Sequence, residues 1–326
     1  MRRTVTMALV TTAAVATGVL GAAPSASAGL TTYCIGTGGA VTVPNDLYVP
    51  PGESCALTGT IITGNVAVAA GANLVVDGGR VDGQVDVAAD GYLDARNSTV
   101  RGDVVVASGG YGVYLQESDS GAVTVKAKGS STIDTFLFAD TSTITGSVNA
   151  NAGEVRLDKG TTVTGSLNTT GTYYTDLHDS FVDGALSVLN SSTGSVICGS
   201  AVAGRSTFAG NIGGVQVGPN GPLDSCASGG YFGGNVSITN TTGGVTVDDN
   251  IINGSLTVQR NNPAAQVAAN NRIRGGVVGD TPATAAAAAS AKRAAAADRA
   301  DNPQERAEQR HEAAVDEAAA AGAARL

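Results

Sequence analysis

A short glycine-centred pattern recurs through this chain and constrains its fold more than any other feature. The pattern is apolar, any residue, Gly, any residue, apolar, any residue, apolar, and its first clear copy is Ile62 to Val68. Most copies follow at intervals of 19 to 21 residues, and two intervals are longer, 25 and 30 residues. A period near twenty residues is typical of stacked-repeat architectures. The eleven marker glycines are Gly64, Gly83, Gly102, Gly121, Gly146, Gly165, Gly184, Gly204, Gly234, Gly254 and Gly275.

The residues two before and two after each marker glycine are apolar, except Asp119 and Ser206, and polar residues lie between them. This two-residue period indicates strands with one buried face. We expect the glycines at corners that need an unusual φ. Each coil also carries a second apolar burst, such as Leu74-Val75-Val76. The pattern therefore predicts an all-β parallel β-helix, a solenoid of about eleven coils, over residues 61–280.

The two ends of the chain differ from the repeats. Residues 1–28 have a basic start, a short apolar run and an Ala-x-Ala site, which predicts a secretory signal peptide cleaved after Ala28. Residues 29–60 are expected to form an irregular N-terminal cap. Residues 281–326 form an Ala-rich tail in which helices over 284–300 and 303–321 are plausible. Because their apolar faces are mostly Ala, we expect a mobile tail rather than a docked one.

Charge and cysteine content limit the partners and the compartment. Cleavage would leave 17 basic and 28 acidic side chains, a net charge of −11, which argues against nucleic acid and anionic membranes as partners. No later segment predicts a membrane span. Four cysteines in an exported chain predict two disulfides, and three pairings are possible. We favour the local pairing, Cys34–Cys55 and Cys198–Cys226. Without a Cys-x-x-Cys pair or nearby histidines, we expect no metal ligands and no cofactor.

Catalytic residues are hard to find in this sequence. Only two histidines occur. His178 precedes Asp179-Ser180, but neighbours on a strand point to opposite faces, so a polar corner is the better interpretation. His311 lies in the tail and is expected to be solvated. We expect no catalytic residue among them.

Paired carboxylates would indicate an enzyme that acts on polysaccharides. Asp248-Asp249 is the best local pair, with Asp224 from the long coil as a companion. A lyase would need a basic residue, and Lys126 and Lys128 lie on the other enlarged coil without adjoining acids. A turn at Asp248-Asp249 is the simpler interpretation.

Two coils are enlarged, between Gly121 and Gly146 and between Gly204 and Gly234. In solenoids such insertions become surface loops and often mark a binding face. We interpret the second as a loop fastened by the Cys198–Cys226 disulfide.

An aromatic column is the most suggestive functional feature. Tyr92, Tyr111, Phe136 and Tyr174 each lie ten residues before a marker glycine, so stacking of the coils would align them. If they face outward, they could form a platform for sugar rings or a partner protein. If they face inward, they form an internal stack, which we favour.

The segments that flank the repeats resemble a known family. Together they are similar to the secreted Gly-rich β-helix proteins of actinobacteria, over residues 29–280. The resemblance implies a right-handed parallel β-helix and export, and its motifs are structural, so it supplies no catalytic site. The segments that carry it are Val41-Thr42-Val43-Pro44, Pro50-Pro51-Gly52-Glu53-Ser54-Cys55, Asp249-Asn250-Ile251-Ile252-Asn253-Gly254-Ser255-Leu256-Thr257-Val258 and Asn270-Asn271-Arg272-Ile273-Arg274-Gly275.

These features favour a secreted, non-enzymatic β-solenoid that serves as a structural, adhesive or surface-binding module. Its expected partner is a cell-wall or extracellular polysaccharide, or a surface protein. One alternative is a divergent polysaccharide lyase or hydrolase, which rests on fold analogy alone. Another is a solenoid that self-assembles through its coil ends.

Overall fold

A computed structural model of the chain describes residues 30–280 and 293–326. The predicted signal peptide and the residues 281–292 of the tail lie outside the described residues. The described part forms 37 strands and one helix, α1 (Arg293–Ala321). The strands are β1 (Thr31–Tyr33), β2 (Gly36–Gly38), β3 (Thr42–Val43), β4 (Asp46–Val49), β5 (Ser54–Thr58), β6 (Ile61–Ile62), β7 (Val66–Val68), β8 (Asn73–Asp77), β9 (Arg80–Val81), β10 (Val85–Val87), β11 (Tyr92–Arg96), β12 (Thr99–Val100), β13 (Val104–Val106), β14 (Gly112–Gln116), β15 (Asp119–Ser120), β16 (Val123–Val125), β17 (Phe136–Asp140), β18 (Thr143–Ile144), β19 (Val148–Ala150), β20 (Glu154–Asp158), β21 (Thr162–Val163), β22 (Leu167–Thr170), β23 (Tyr174–His178), β24 (Phe181–Val182), β25 (Leu186–Leu189), β26 (Gly194–Cys198), β27 (Ala201–Val202), β28 (Ser206–Ala209), β29 (Gly214–Val217), β30 (Tyr231–Phe232), β31 (Val236–Thr239), β32 (Val245–Val247), β33 (Ile251–Ile252), β34 (Leu256–Gln259), β35 (Gln266–Val267), β36 (Arg272–Ile273) and β37 (Val277–Gly279).

Every third strand joins the same sheet, so the chain winds as a parallel β-helix. Sheet A contains 13 strands from β1 to β37, sheet B contains 12 from β2 to β35, and sheet C contains 12 from β3 to β36. All pairings between neighbouring coils are parallel and in register, as between Val85 and Val104. Strands about 4.8 Å apart give a rod of about 60 Å. The predicted fold class is confirmed, with about twelve coils rather than eleven.

The core lies inside the coil, where the three sheets face one another. The apolar residues that flank each marker glycine are buried there; Ile62 and Val66, for example, are 0% and 1% exposed. Sheet B contributes alternate residues such as Leu93 and Ala95 to the same core. Burial of these stacked columns explains why the apolar pattern predicted the strands.

The marker glycines are needed because neighbouring coils approach closely, which corrects our expectation of an unusual φ. Of these glycines, Gly146 alone has a positive φ, of 123°. At Gly102 a Cβ atom would lie 2.3 Å from the carbonyl oxygen of Gly83, and at Gly83 it would lie 2.5 Å from that of Gly64. The glycines therefore let backbone stack on backbone at this corner.

The two exceptions in the apolar columns have different explanations. Val100 pairs with Ser120, not with Asp119, so Ser120 takes the inward position and Asp119 is exposed. Ser206 does face the core, between Leu186 and Val236. At Asp119 the strand is therefore shifted by one residue relative to the marker glycine. Ser206, by contrast, is a polar residue in an apolar column.

A ladder of buried hydroxyl groups, which the apolar repeat pattern does not predict, lies at the corner that follows the strands of sheet B. The amide of Ser98 donates to Ser118 Oγ (3.0 Å), the amide of Ser118 to Ser142 Oγ (3.1 Å), and the amide of Ser142 to Thr161 Oγ1 (3.3 Å). Each hydroxyl thus satisfies an amide of the preceding coil, which a buried corner requires.

The N-terminal segment contributes strands rather than an irregular cap. Residues 30–60 contain β1 to β5, which pair into all three sheets, and the Cys34–Cys55 disulfide joins the first two coils. The free edge of β2 is instead covered by the C-terminal segment, since Thr37 N donates to Gly322 O (2.8 Å) and Ala324 N donates to Thr37 O (2.8 Å). The C-terminus therefore closes one edge of the solenoid.

Two loops replace corners in the enlarged coils. Residues 126–135 separate β16 from β17, and residues 218–230 separate β29 from β30. The second loop folds back on the outer face of sheet B, where Cys226 bonds Cys198. Both predicted disulfide pairings are confirmed, as is the interpretation of this loop as a fastened insertion.

The Ala-rich tail forms one docked helix, which corrects the expectation of a mobile tail. Helix α1 starts at Arg293 and runs through the predicted start at 302–303, and it packs on β2, β5 and β8. Ala307, Ala314 and Ala318 are almost fully buried against the sheet. Small side chains let the helix approach closely. In the described part of the chain, no helix combines the length and apolar character needed to cross a membrane.

Candidate functional site

The predicted aromatic column lies on the outer face of sheet B, so the expectation of an inward stack is wrong. On β11, Leu93 belongs to the interior core, whereas Tyr92 belongs to a separate cluster on the opposite face. Phe136 and Tyr174 occupy the matching position on β17 and β23. Tyr92, Phe136 and Tyr174 are nevertheless at most 4% exposed. Other parts of the chain must cover them.

Five aromatic rings form one cluster on this face. Phe136 stacks on Phe138 with ring centroids 4.5 Å apart, and Tyr111 meets Phe136 edge-on at 5.5 Å. Tyr92 and Tyr114 complete the cluster. Tyr114 and Phe138 also face outward, but they lie two residues further along their strands than the position that Tyr92 and Phe136 occupy, so a pattern of one position per coil does not include them.

Helix α1 covers this aromatic cluster and forms hydrogen bonds with its tyrosine hydroxyl groups. Tyr111 Oη donates to the carbonyl of Arg306 at 3.1 Å. Gln304 Nε2 donates to Tyr114 Oη at 3.0 Å, and Ala307 packs among the rings. The tyrosines predicted as a binding platform therefore hold the C-terminal helix.

A buried carboxylate, that of Asp94, anchors the helix to sheet B. Its side chain is 0% exposed and contacts Arg96 Nε at 3.0 Å and His311 Nδ1 at 2.9 Å. Tyr92 Oη donates to it at 2.8 Å. Burial raises the pKa of Asp94, but hydrogen bonds from His311, Arg96 and Tyr92 outweigh burial and lower the pKa below its usual 3.8. The prediction that His311 is solvated is thus wrong.

Two further polar residues of the helix fix its position along the rod. Arg310 Nε donates to Asn73 Oδ1 at 2.7 Å, and its guanidinium lies 4.7 Å from the ring centroid of Tyr111. Nearer the C-terminus, Ser54 Oγ donates to Glu317 Oε2 at 2.6 Å. The helix is therefore held by charged and amide groups, and its alanines supply only close contact.

A second cluster lies under the inserted loop of residues 218–230. Tyr174 packs there with Val196 and Cys198, against Leu223 and Cys226 of the loop. Tyr174 is thus covered by a different element from the other three aromatic residues, and the four do not form one continuous surface.

Beside Tyr174, one histidine meets two carboxylates. Asp176 and His178 are two residues apart on β23 and share its outer face, and Asp224 comes from the loop. His178 Nε2 lies 3.0 Å from Asp176 Oδ1 and 3.3 Å from Asp224 Oδ2. Burial lowers the pKa of His178, but the carboxylates of Asp176 and Asp224 more than offset burial and raise the pKa to about 10.

The loop holds Asp224 in place from several sides. Gln216 Oε1 accepts hydrogen bonds from the amides of Leu223 (2.8 Å) and Asp224 (3.1 Å), and Gln216 Nε2 donates to the Asp224 carbonyl (2.9 Å). The amide of Ser225 donates to Asp224 Oδ1 at 2.6 Å, which leaves Oδ2 for His178.

The carboxylates proposed for an enzyme bind different partners. Asp224 meets His178, whereas Asp248 Oδ2 accepts a hydrogen bond from Asn220 Nδ2 at 2.6 Å. Asp249 is exposed at a corner with a φ of 55°. Asp248-Asp249 is therefore a turn whose first member fastens the loop.

The remaining candidates have structural partners too. Lys128 Nζ lies 2.6 Å from Asp134 Oδ1 within its own loop. The hydroxyl of Ser180 donates to the carbonyl of His178, and Ser180 is buried, so His178-Asp179-Ser180 is not a triad. The site that the structure assembles joins Asp176 and His178 of β23 to Asp224, which is 46 positions after His178 and lies in the loop that follows β29, two coils further along sheet B. No local signal could have paired them.

Comparisons with models of known protein families, with curated proteins and with solved structures gave no match for this chain.

Proposed function

We propose that this protein is an exported, non-enzymatic β-solenoid that binds an extracellular polysaccharide through the outer face of sheet C. The observation that carries the proposal is an exposed apolar ladder on that face. Phe181, Ala201, Tyr231 and Ile251 occupy the same position on four successive strands. The exposed fractions of Phe181, Tyr231 and Ile251 are 49%, 43% and 42%.

The chemistry of the ladder matches an extended glycan better than a folded partner. Pyranose rings present apolar C–H faces edged by hydroxyl groups, and aromatic rings offer flat apolar surfaces. Polar groups lie beside the ladder, since Asn253 Nδ2 donates to Tyr231 Oη at 2.6 Å and Asp183 is exposed. Strands about 4.8 Å apart repeat the contact along the rod. A rigid repeating surface suits a repeating polymer.

Export is supported by the predicted signal peptide and by both disulfides. Each described cysteine is paired, which fits an oxidising compartment. We also propose that the chain belongs with the secreted Gly-rich β-helix proteins of actinobacteria that its sequence resembles.

Binding to insoluble polysaccharides tests this function. Purified protein is mixed with chitin, cellulose or peptidoglycan, and the bound fraction is measured after sedimentation. We expect retention on at least one polymer, loss of retention in the double variant Phe181→Ser with Tyr231→Ser, and no change in Ile212→Ser, which alters a 67% exposed residue elsewhere. Release of sugars or unsaturated products would instead favour the lyase or hydrolase alternative. Equal retention of wild type and the double variant contradicts the proposal.

Self-assembly through the coil ends is a second candidate, favoured by the open strand edges. Within the described residues, β1 and β37 each pair on one side only, and both run in the same direction in sheet A. Apolar side chains are exposed near both ends, including Tyr33 (60%) and Val278 (51%). Head-to-tail contact between such ends would give an open filament. A monomer mass that does not change with concentration, measured by light scattering, excludes assembly of the full chain.

A further inference from the structure

The geometry around His178 has the size of a metal coordination sphere. One donor atom from each of Asp176, His178 and Asp224 can be chosen such that all three lie within 4.8 Å of one another. Two of the separations, from His178 Nε2 to each carboxylate, are 3.0 and 3.3 Å. Ligands at about 2.0–2.1 Å from a tetrahedral Zn²⁺ lie about 3.3 Å apart. The two separations from His178 Nε2 are therefore close to those that such an ion requires.

The buried donors lack the hydrogen bonds that a polar interior demands. Asp176 is 6% exposed, and its buried Oδ1 atom lies 3.0 Å from the buried His178 Nε2 as an ion pair that does not meet the geometry of a hydrogen bond. The N–H of one ring nitrogen also cannot point at two carboxylates at once. Unsatisfied buried atoms cost free energy, and a shared cation would satisfy all three donors.

The local charge also fits a divalent ion. The neighbouring Arg156 lies 3.4 Å from Asp158 and is also attracted by Asp176, so it offsets only part of the negative charge of the cluster. Asp176 and Asp224 supply two negative charges, and His178 supplies a nitrogen donor once the ion has displaced the proton that the two carboxylates hold on its ring. A dication would be neutralised by its own ligands.

We propose that Asp176, His178 and Asp224 bind a divalent transition-metal ion of the Zn²⁺ type, which fastens the loop of residues 218–230 to sheet B. Imidazole with carboxylates suits Zn²⁺, whereas Ca²⁺ takes six to eight oxygen ligands and Mg²⁺ keeps most of its waters. Gln216 and the Cys198–Cys226 disulfide hold Asp224 in position before the ion binds. The ion would have a structural role, and its site on sheet B is separate from the proposed polysaccharide-binding face on sheet C.

Zinc content and loop protection test this proposal together. Untagged full-length protein is dialysed against Zn²⁺ at neutral pH, and bound metal is counted by mass spectrometry. We expect about one zinc per chain, and an affinity at least about tenfold lower in Asp224→Asn and in His178→Gln. Asp119→Asn, which alters an exposed carboxylate on β15, should bind like wild type. Ca²⁺ at the same concentration should not compete.

Hydrogen exchange supplies a second readout that does not depend on metal counting. Zinc should slow amide exchange in residues 219–226 of wild type and leave Asp224→Asn unchanged. If wild type binds no more zinc than Asp224→Asn, or the loop exchanges equally with and without zinc, the proposal is wrong. The cluster is then a metal-free clasp in which a protonated His178 bridges two carboxylates. Retained polysaccharide binding in that case would leave the proposed function intact.

Discussion

At the scale of single residues, Ser206 places a hydroxyl group in an otherwise apolar column of the core. Ser206 faces the interior between Leu186 and Val236, is 0% exposed, and its Oγ has no hydrogen-bond partner. Ser191 is equally buried, but its Oγ donates to the carbonyl of Gly194 at 2.8 Å. The two serines therefore contribute to stability with opposite sign.

Removing the Ser206 hydroxyl should stabilise the fold. We expect Ser206→Ala to raise the free energy of unfolding by about 1 kcal/mol, because it removes an unsatisfied buried group. The matched variant Ser191→Ala should lower it by about 1 kcal/mol, because it breaks a buried hydrogen bond. Denaturation followed by circular dichroism measures both. A shift of the same sign in the two variants would contradict this assignment.

Asp94 should make the stability of helix docking depend on pH. Hydrogen bonds from His311 and Arg96 hold the pKa of Asp94 below its usual 3.8. A carboxyl whose pKa is lowered in the folded state stabilises that state above its unfolded pKa and loses this contribution as the pH falls through the folded value. We expect helix docking to be stable at neutral pH and to weaken below about pH 4.

Asp94→Asn tests the same contact at neutral pH. Because it leaves Arg96 and His311 without their buried partner, it should destabilise the fold by about 3 kcal/mol, and its stability should vary less with acid. Asp86→Asn alters an exposed carboxylate on the preceding strand and should have little effect. An Asp94→Asn variant with wild-type stability and acid response would show that the carboxylate does not anchor the helix.

At the scale of elements, periodicity predicted the strands but not what covers them. The columns at Ile62 and Val66 are apolar because they fill one interior, and that requirement is visible within every coil. The docking of α1 depends on pairs such as Arg310 with Asn73, which are 237 residues apart. One signal was available in the sequence. Tyr92 and Asp94 share the outward face of one strand, and a face that carries large aromatic residues needs a covering segment.

The close stacking at the marker glycines gives a prediction at this scale. A Cβ atom at residue 102 would lie 2.3 Å from a backbone oxygen of the preceding coil, so Gly102→Ala must push two coils apart. We expect a loss of about 1–3 kcal/mol in unfolding free energy. Gly39→Ala is the control, because a Cβ atom there meets no atom within 4 Å. Equal stability of the two variants would show that close approach does not explain the repeat.

At the scale of the whole molecule, other segments of the chain cover the outer face of sheet B but leave that of sheet C exposed. Helix α1 lies over the first coils of sheet B, the fastened loop lies over its later coils, and the C-terminal segment closes the edge of β2. Sheet C keeps its apolar ladder exposed. The outer face of sheet B is therefore buried within the molecule, and that of sheet C is accessible to a partner.

Closure of the β2 edge should limit association of the rods. Deleting residues 322–326 leaves α1 in place but frees the backbone groups of Thr37, so β1, β2 and β3 would all present open edges to β37, β35 and β36 of a second copy. We expect the mass of the shortened protein, measured by light scattering, to rise with concentration more steeply than that of the full chain. Identical masses at every concentration would contradict a blocking role.

The most direct test of the account is hydrogen exchange of the intact protein over residues 304–321. A docked helix should be protected together with the strands of sheet B and lose that protection in Asp94→Asn. If these amides exchange at the rate of an unfolded chain while the strands stay protected, the helix does not cover the aromatic face, and that face is open to a ligand.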